Sequence, residues 1–200
     1  MSKLDDLDIL LDTCRTAVRS VDADAREELV SGILSHRNVY VNGSGHSGLE
    51  GQMFAVRLVQ LGLDVHFVGE MTTPIIGKED LTLLISYTGR TSSVVQTAEI
   101  ARRIGSEIFC ITGTSGSPLT RVSDVSLVMS VPEGEGLHRV APLGTVFEDS
   151  ALLLFDGIVS EIMSREGISE DDMRRRHAIW VRSHSETSAE AVLHPSPSTM

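Results

Sequence analysis

The chain has 200 residues, 41% of them hydrophobic and 22% charged, which suits one globular domain with a sizeable core. Twenty-eight acids against 17 bases leave a net charge of −11, which excludes the basic face that a nucleic-acid partner requires. The start MSKLDDLDILLD is acidic where a secretory signal would be basic, and no apolar run approaches a membrane span, so a cytoplasmic protein with no membrane partner is expected.

Leu4, Leu7, Leu10, Leu11, Cys14, Ala17, Val18 and Val21 recur at spacings of three and four, which predicts an amphipathic helix. A second short helix over 24–35 completes a helical segment, 1–36, ahead of the first strand. Val39-Tyr40-Val41 reads as a buried strand running into Asn42-Gly43-Ser44-Gly45-His46-Ser47-Gly48. The next helix carries Phe54, Leu58 and Leu61 on one face and stops at Gly62. Residues 65–68 form a strand ending at Gly69-Glu70, and residues 81–85 a strand ending in SYTGRTSS, 86–93. A helix over 92–104 is closed by Gly105, and a strand over 108–111 ends in TGTSGS, 112–117. A short helix near Pro118 precedes a last strand over 125–131. The loop 132–141 then leads to a long apolar helix over 143–163. Ser169, with Asp172 three residues on, opens a final helix with a capping-box pattern. Residues 183–200 are polar and proline-bearing and are expected to be disordered, leaving a single domain over 1–182. Strands alternating with helices imply an α/β three-layer sandwich with a mainly parallel sheet covered on both faces.

In a parallel sheet the carboxyl ends of all strands share one edge, so GSGHSG, GEMTTP, SYTGRTSS and TGTSGS meet there. All four are rich in Gly, Ser and Thr. Glycine lets a ligand approach the backbone. Hydroxyls and free amides at a helix N-terminus donate to an anion that the helix dipole also favours. Ser86, Thr88 and Thr91 are therefore the expected grip on a phosphate ester. A dinucleotide is not expected, because GSGHSG lacks the final glycine spacing of that fingerprint. The histidines are scattered and the two cysteines, Cys14 and Cys110, lie far apart in apolar patterns, so free buried thiols and no metal are expected. Met53, Met129 and Met163 read as packing residues, and residues 152–155 with Ile158 as core or subunit interface.

The hydroxyl loops, the turn Gly69-Glu70-x-x-Thr73-Pro74, the segment Ala141-Pro142-Leu143-Gly144-Thr145-x-Phe147-Glu148 and the late Arg176-His177-Ala178 resemble the sugar isomerase (SIS) domain family, nearest its hexulose-phosphate isomerase branch. The likeness covers roughly residues 5–180. It implies a five-stranded parallel sheet flanked by helices, flavodoxin-like but without a nucleotide, and a tetramer with sites at subunit contacts. It implies interconversion of 3-hexulose 6-phosphate and fructose 6-phosphate through an enediol, without metal or cofactor. It places phosphate or substrate contacts on Gly45, His46, Ser47, Ser86, Thr88 and Thr91, and matches Glu148 and His177 to the family's catalytic acid and histidine, the latter able to serve a neighbouring subunit. Glu70 is an accessory acid or a plain turn residue. One carboxylate can carry a proton between adjacent carbons, and a histidine can shuttle protons among the oxygens.

The chain departs from the family pattern at His46, where a cation is usual, at Tyr87 and Arg90 in the third loop, and at Val181 after the late motif. Arg90 is read as a cation moved from the first loop to the third, and Tyr87 as filling space beside the phosphate. These departures keep two other readings open: an isomerase of another phosphosugar, such as a pentose phosphate, and a non-catalytic phosphosugar sensor.

Overall fold

The computed structural model describes residues 3–132, 134 and 136–177. The expected disordered tail, Ala178 and Val181 lie outside the described residues. Five strands form one all-parallel sheet: β1 (Val39–Gly43), β2 (Val65–Phe67), β3 (Leu81–Ile85), β4 (Glu107–Thr112) and β5 (Val125–Val128), in the order β2-β1-β3-β4-β5. The register aligns Val39 with Leu81 and Gly43 with Ile85, so β1 and β3 end level with one another.

Helices cover both faces. α1 (Lys3–Arg19), α2 (Ala23–Ser35), α3 (His46–Leu61) and the long α7 (Thr145–Glu166) pack on one face; α4 (Ser92–Ile104) and α5 (Pro118–Val122) pack on the other. The short α6 (Leu137–Val140) and α8 (Glu170–Arg175) flank α7. Strand alternation explains the division. Leu81, Leu83 and Ile85 point into the larger core with Phe54, Phe147 and Phe155, whereas Leu84 joins Val94, Ala98 and Cys110 beneath α4. Fully burying one such side chain stabilises the fold by about 2 kcal/mol.

Most expected elements stand within a residue or two of their sequence boundaries, and three details are corrected. The last strand stops at Val128, not Val131. The long helix opens at Thr145, not 143, because Leu143 takes a left-handed backbone (φ 58°) and Gly144 follows it there (φ 100°). A left-handed residue cannot continue a right-handed helix. Met53 is 54% exposed and does not pack in the core, whereas Met129 is fully buried. Cys14 and Cys110 are both buried free thiols, as expected. The capping box of Ser169 and Asp172 is formed in both directions.

The first loop is held by a close approach of two glycines. A Cβ on Gly43 would lie 2.8 Å from the Ser47 carbonyl oxygen and 2.9 Å from Gly48 Cα; a Cβ on Gly48 would lie 2.8 Å from the Gly43 carbonyl oxygen. Both obstacles are backbone, which cannot swing aside as a side chain can. Gly43→Ala is therefore expected to destabilise the domain by roughly 2 kcal/mol, measured as a fall in the thermal unfolding midpoint, whereas Gly134→Ala, at a position with open space around it, is expected to leave the midpoint unchanged.

Candidate active site

The sheet reverses its direction of growth between β1 and β3: β2 was added on one side of β1, β3 on the other. Loops leaving those two strands diverge to opposite faces and open a crevice between them. The first loop enters α3 and carries Gly45, His46 and Ser47. The third loop enters α4 and carries Ser86, Thr88, Arg90 and Thr91.

The third loop is arranged by hydroxyls. Ser86 sits at the end of β3 on the α4 side, where Thr91 forms the N-cap of α4, and their hydroxyl oxygens lie 2.9 Å apart. Thr91 makes no side-chain bond to its own helix, so the first-turn amides of this 13-residue helix keep their donors free for an external acceptor. The Arg90 amide donates to Thr88 Oγ1 at 3.3 Å. The Arg90 and Thr88 side chains are exposed at the loop surface, and Arg90 forms no ion pair among the described residues. Gly89 (φ 59°) lies against Ser117, and a Cβ there would fall 2.1 Å from Ser117 Oγ. The fourth loop is thus drawn against the third.

Tyr87 is tied into the fold through both its backbone and its ring. Its carbonyl accepts from the Gly113 amide (2.9 Å), Thr112 Oγ1 (3.1 Å) and Thr114 Oγ1 (3.2 Å). Its ring runs inward, over Gly113, and stacks on Phe147 with centroids 5.0 Å apart. Phe147 immediately precedes Glu148. The hydroxyl loop and the start of α7 are therefore fastened to one another through these two rings.

Glu148 lies in the first turn of α7, 20% exposed, with His46 Nδ1 3.6 Å from its Oε1. The structure thus brings together the first loop, the third loop and Glu148, three segments spread over about a hundred residues. Ser47, one residue after His46, is buried at the start of α3.

The sequence reading missed Glu50. It stands one turn after Ser47 on α3, half-buried, and its Oε2 is buried without a hydrogen-bond partner. Burial raises its carboxyl to about 7, and the nearby negative charges of Glu148 and Asp149 add to the rise. No signal in the local sequence marks it, because the groups that matter come from α7.

His177 and Glu70 are placed elsewhere. Both line a groove of about 560 Å³ with Gln52, Val56, Val59 and Arg176 on the outer side of α3. Arg176 donates to the Gln60 carbonyl at 3.3 Å, near the carboxyl end of α3, while His46 and Ser47 begin that helix. Fourteen residues of helix separate the two ends, roughly 20 Å. His177 also lines a cavity with Met53, Leu152 and Asp156, and it forms no hydrogen bond or ion pair with Glu148 among the described residues. No group of His, Cys, Asp and Glu suited to holding a metal ion occurs among the described residues, and no described helix is long and apolar enough to cross a membrane.

Comparison with known proteins adds a family. The SIS domain model matches residues 32–153. A protein of Methanocaldococcus jannaschii named 3-hexulose-6-phosphate isomerase is 35% identical over 181 residues, spanning 88% of this chain and 98% of its own length. A Bacillus subtilis protein of the same name is 27% identical over 175 residues, spanning 84% of this chain and 94% of its own. Among solved structures, a Methanococcus jannaschii protein whose structure was taken to infer 3-hexulose-6-phosphate isomerase function superposes with a TM-score of 0.79 at 33% identity, covering 87% of this chain and 98% of that one.

The Tyr87–Phe147 stack supplies a test of how the site is held. Tyr87→Ala is expected to cost about 2 kcal/mol through lost packing, and Tyr87→Phe, which keeps the ring, less than about a quarter of that. Chemical denaturation of the two variants beside the parent measures both.

Proposed function

The chain belongs to the SIS domain family, and from that premise we propose that it is a sugar-phosphate isomerase interconverting 3-hexulose 6-phosphate and fructose 6-phosphate. The observation that carries this reading is the joining of the hydroxyl loop to the Glu148 turn through Tyr87 and Phe147. A phosphate at the head of α4 then lies in the same crevice as a carboxylate. Ser86, Thr88, Thr91 and the free amides of α4 hold the phosphate by hydrogen bonds, with Ser47 and Gly45 closing the side nearest α3. Arg90, exposed on that loop, offers the bidentate cation that His46 does not.

Glu148 takes the proton from the carbon beside the carbonyl, and the electron pair moves to the carbonyl oxygen to give an enediolate; passage of the adjacent hydroxyl's proton to that oxygen shifts the carbonyl along the chain. Returning the proton to the neighbouring carbon completes the transfer, and the carboxylate ends as it began. His46, 3.6 Å from Glu148, orients that carboxyl. No metal or organic cofactor takes part in this scheme.

His177 enters from another copy. Leu49, Met53, Val56 and Val59 are 58%, 54%, 56% and 44% exposed along α3, and the groove beside them ends at His177. A second copy seated on this strip covers it and carries its own His177 toward the neighbouring crevice, within a cytoplasmic homo-oligomer that the family likeness makes a tetramer.

A coupled assay supplying 3-hexulose 6-phosphate and detecting fructose 6-phosphate tests the reading. Glu148→Gln is expected to lower kcat at least about a hundredfold with KM little changed. Ser86→Ala is expected to raise KM by about tenfold, the loss of one charge-assisted hydrogen bond. Tight phosphosugar binding without turnover by the parent protein would instead make it a sensor.

A further inference from the structure

We propose that Glu50 is a second catalytic carboxyl of this site, serving as the neutral acid that exchanges protons with the substrate's two oxygens while Glu148 serves the carbons. The inference rests on the isomerase reading above and adds a role to a residue outside the four hydroxyl-bearing loops. Its basis is geometric. Glu50 lies one helical turn from Ser47 on α3, the helix that begins with His46 and packs against α7, near enough to Glu148 and Asp149 in the opening turns of α7 to feel their charge. One of its oxygens is shut away from water and bonded to nothing among the described residues. A buried carboxylate without a donor is costly, whereas a carboxylic acid there leaves only a weak acceptor unsatisfied.

The neighbouring charges agree. From α7, Glu148 and Asp149 both act on Glu50 in the sense that resists its ionisation, after burial itself, and together they lift it to about 7. On its own helix, His46 is turned to Glu148. Two carboxyls whose surroundings differ in this way divide acid and base roles between them. Glu148 stands beside His46 and takes the base role, and Glu50 holds the proton.

The steps balance. As Glu148 removes the carbon-bound hydrogen as a proton, the Glu50 acid gives its proton to the carbonyl oxygen, so the enediol forms neutral. The Glu50 carboxylate then takes the hydroxyl proton from the adjacent oxygen as that carbon becomes the carbonyl, and Glu148 returns its proton to the other carbon. Both side chains finish in their starting states. Within a single chain this supplies the oxygen proton transfer without recourse to His177.

The test combines Glu50→Gln and Glu50→Val with two readouts. In the coupled assay, the parent is expected to lose kcat/KM as pH rises through about 7, the point at which the acid form disappears. Glu50→Gln is expected to fall about a hundredfold in kcat, with KM within threefold, and to lose that alkaline limb. A variant that keeps its rate and the same limb overturns the role of Glu50 while leaving Glu148 and the isomerase reading intact. Absence of hexulose-phosphate turnover by the parent overturns both. The second readout needs no substrate. The folded carboxyl is raised above its unfolded value, so the parent loses stability between pH 4.5 and about 7 as the proton leaves the folded state. Glu50→Gln and Glu50→Val, which cannot ionise, are expected to gain thermal midpoint relative to the parent on going from pH 5 to pH 8. No relative gain in either variant means that Glu50 is already ionised at pH 5, which overturns its service as an acid.

Discussion

The constraint beneath the whole site is the reversal of sheet growth between β1 and β3. Two parallel strands that end level, with Gly43 beside Ile85, send their chains to opposite faces. The helices that follow, α3 and α4, begin on either side of the gap and present their first-turn amides there. Those amides offer donors to an anion without any cluster of lysines. In a chain of net charge −11, an anion has to be drawn by backbone amides, hydroxyls and helix dipoles, since bulk charge repels it.

The gap is kept to shape by close approaches that only certain residues permit. Gly43 and Gly48 let β1 and α3 touch backbone to backbone. Tyr87 occupies the space over Gly113 and reaches Phe147. Position 87 is thus a brace between the phosphate-side loop and the helix that carries Glu148. The left-handed turn at Leu143 and Gly144 sets where α7 begins, and so where Glu148 falls in its first turn. Strain held by a bulky residue at such a place is typical of functional turns.

The strands and long helices were legible in the sequence because their apolar spacing is a local property: Leu81 to Ile85 is buried at every position, and Gly62 and Gly105 end their helices in the left-handed conformation. The hydroxyl loop was legible for the same reason, since Ser86 and Thr91 are close in sequence. Three features were not. The start of α7 depends on a backbone angle at Leu143 that no propensity favours. The inward path of Tyr87 depends on two glycines and a phenylalanine from distant segments. Glu50 carries no local signal, because nothing between residues 46 and 61 reveals that two acidic residues of α7 will lie near it. Periodicity reports which face of a helix is buried, but it says nothing about the charges waiting on the other side.

Those charges bear on how an acidic protein admits a phosphate at all. Glu50, Glu148 and Asp149 lie close enough to influence one another, and three full negative charges beside the crevice would oppose a doubly charged ester. Keeping Glu50 neutral removes one of them at a group with an oxygen shut away from water, where Coulomb repulsion is poorly screened. His46 beside Glu148 moderates the second when it carries its proton. The same neutrality that lets the ester approach leaves one acid with a proton to give and one with a proton to take. Anion admission and proton transfer are thus two consequences of one difference between neighbouring carboxyls: Glu50 has a buried oxygen without a partner, and Glu148 has His46 beside it.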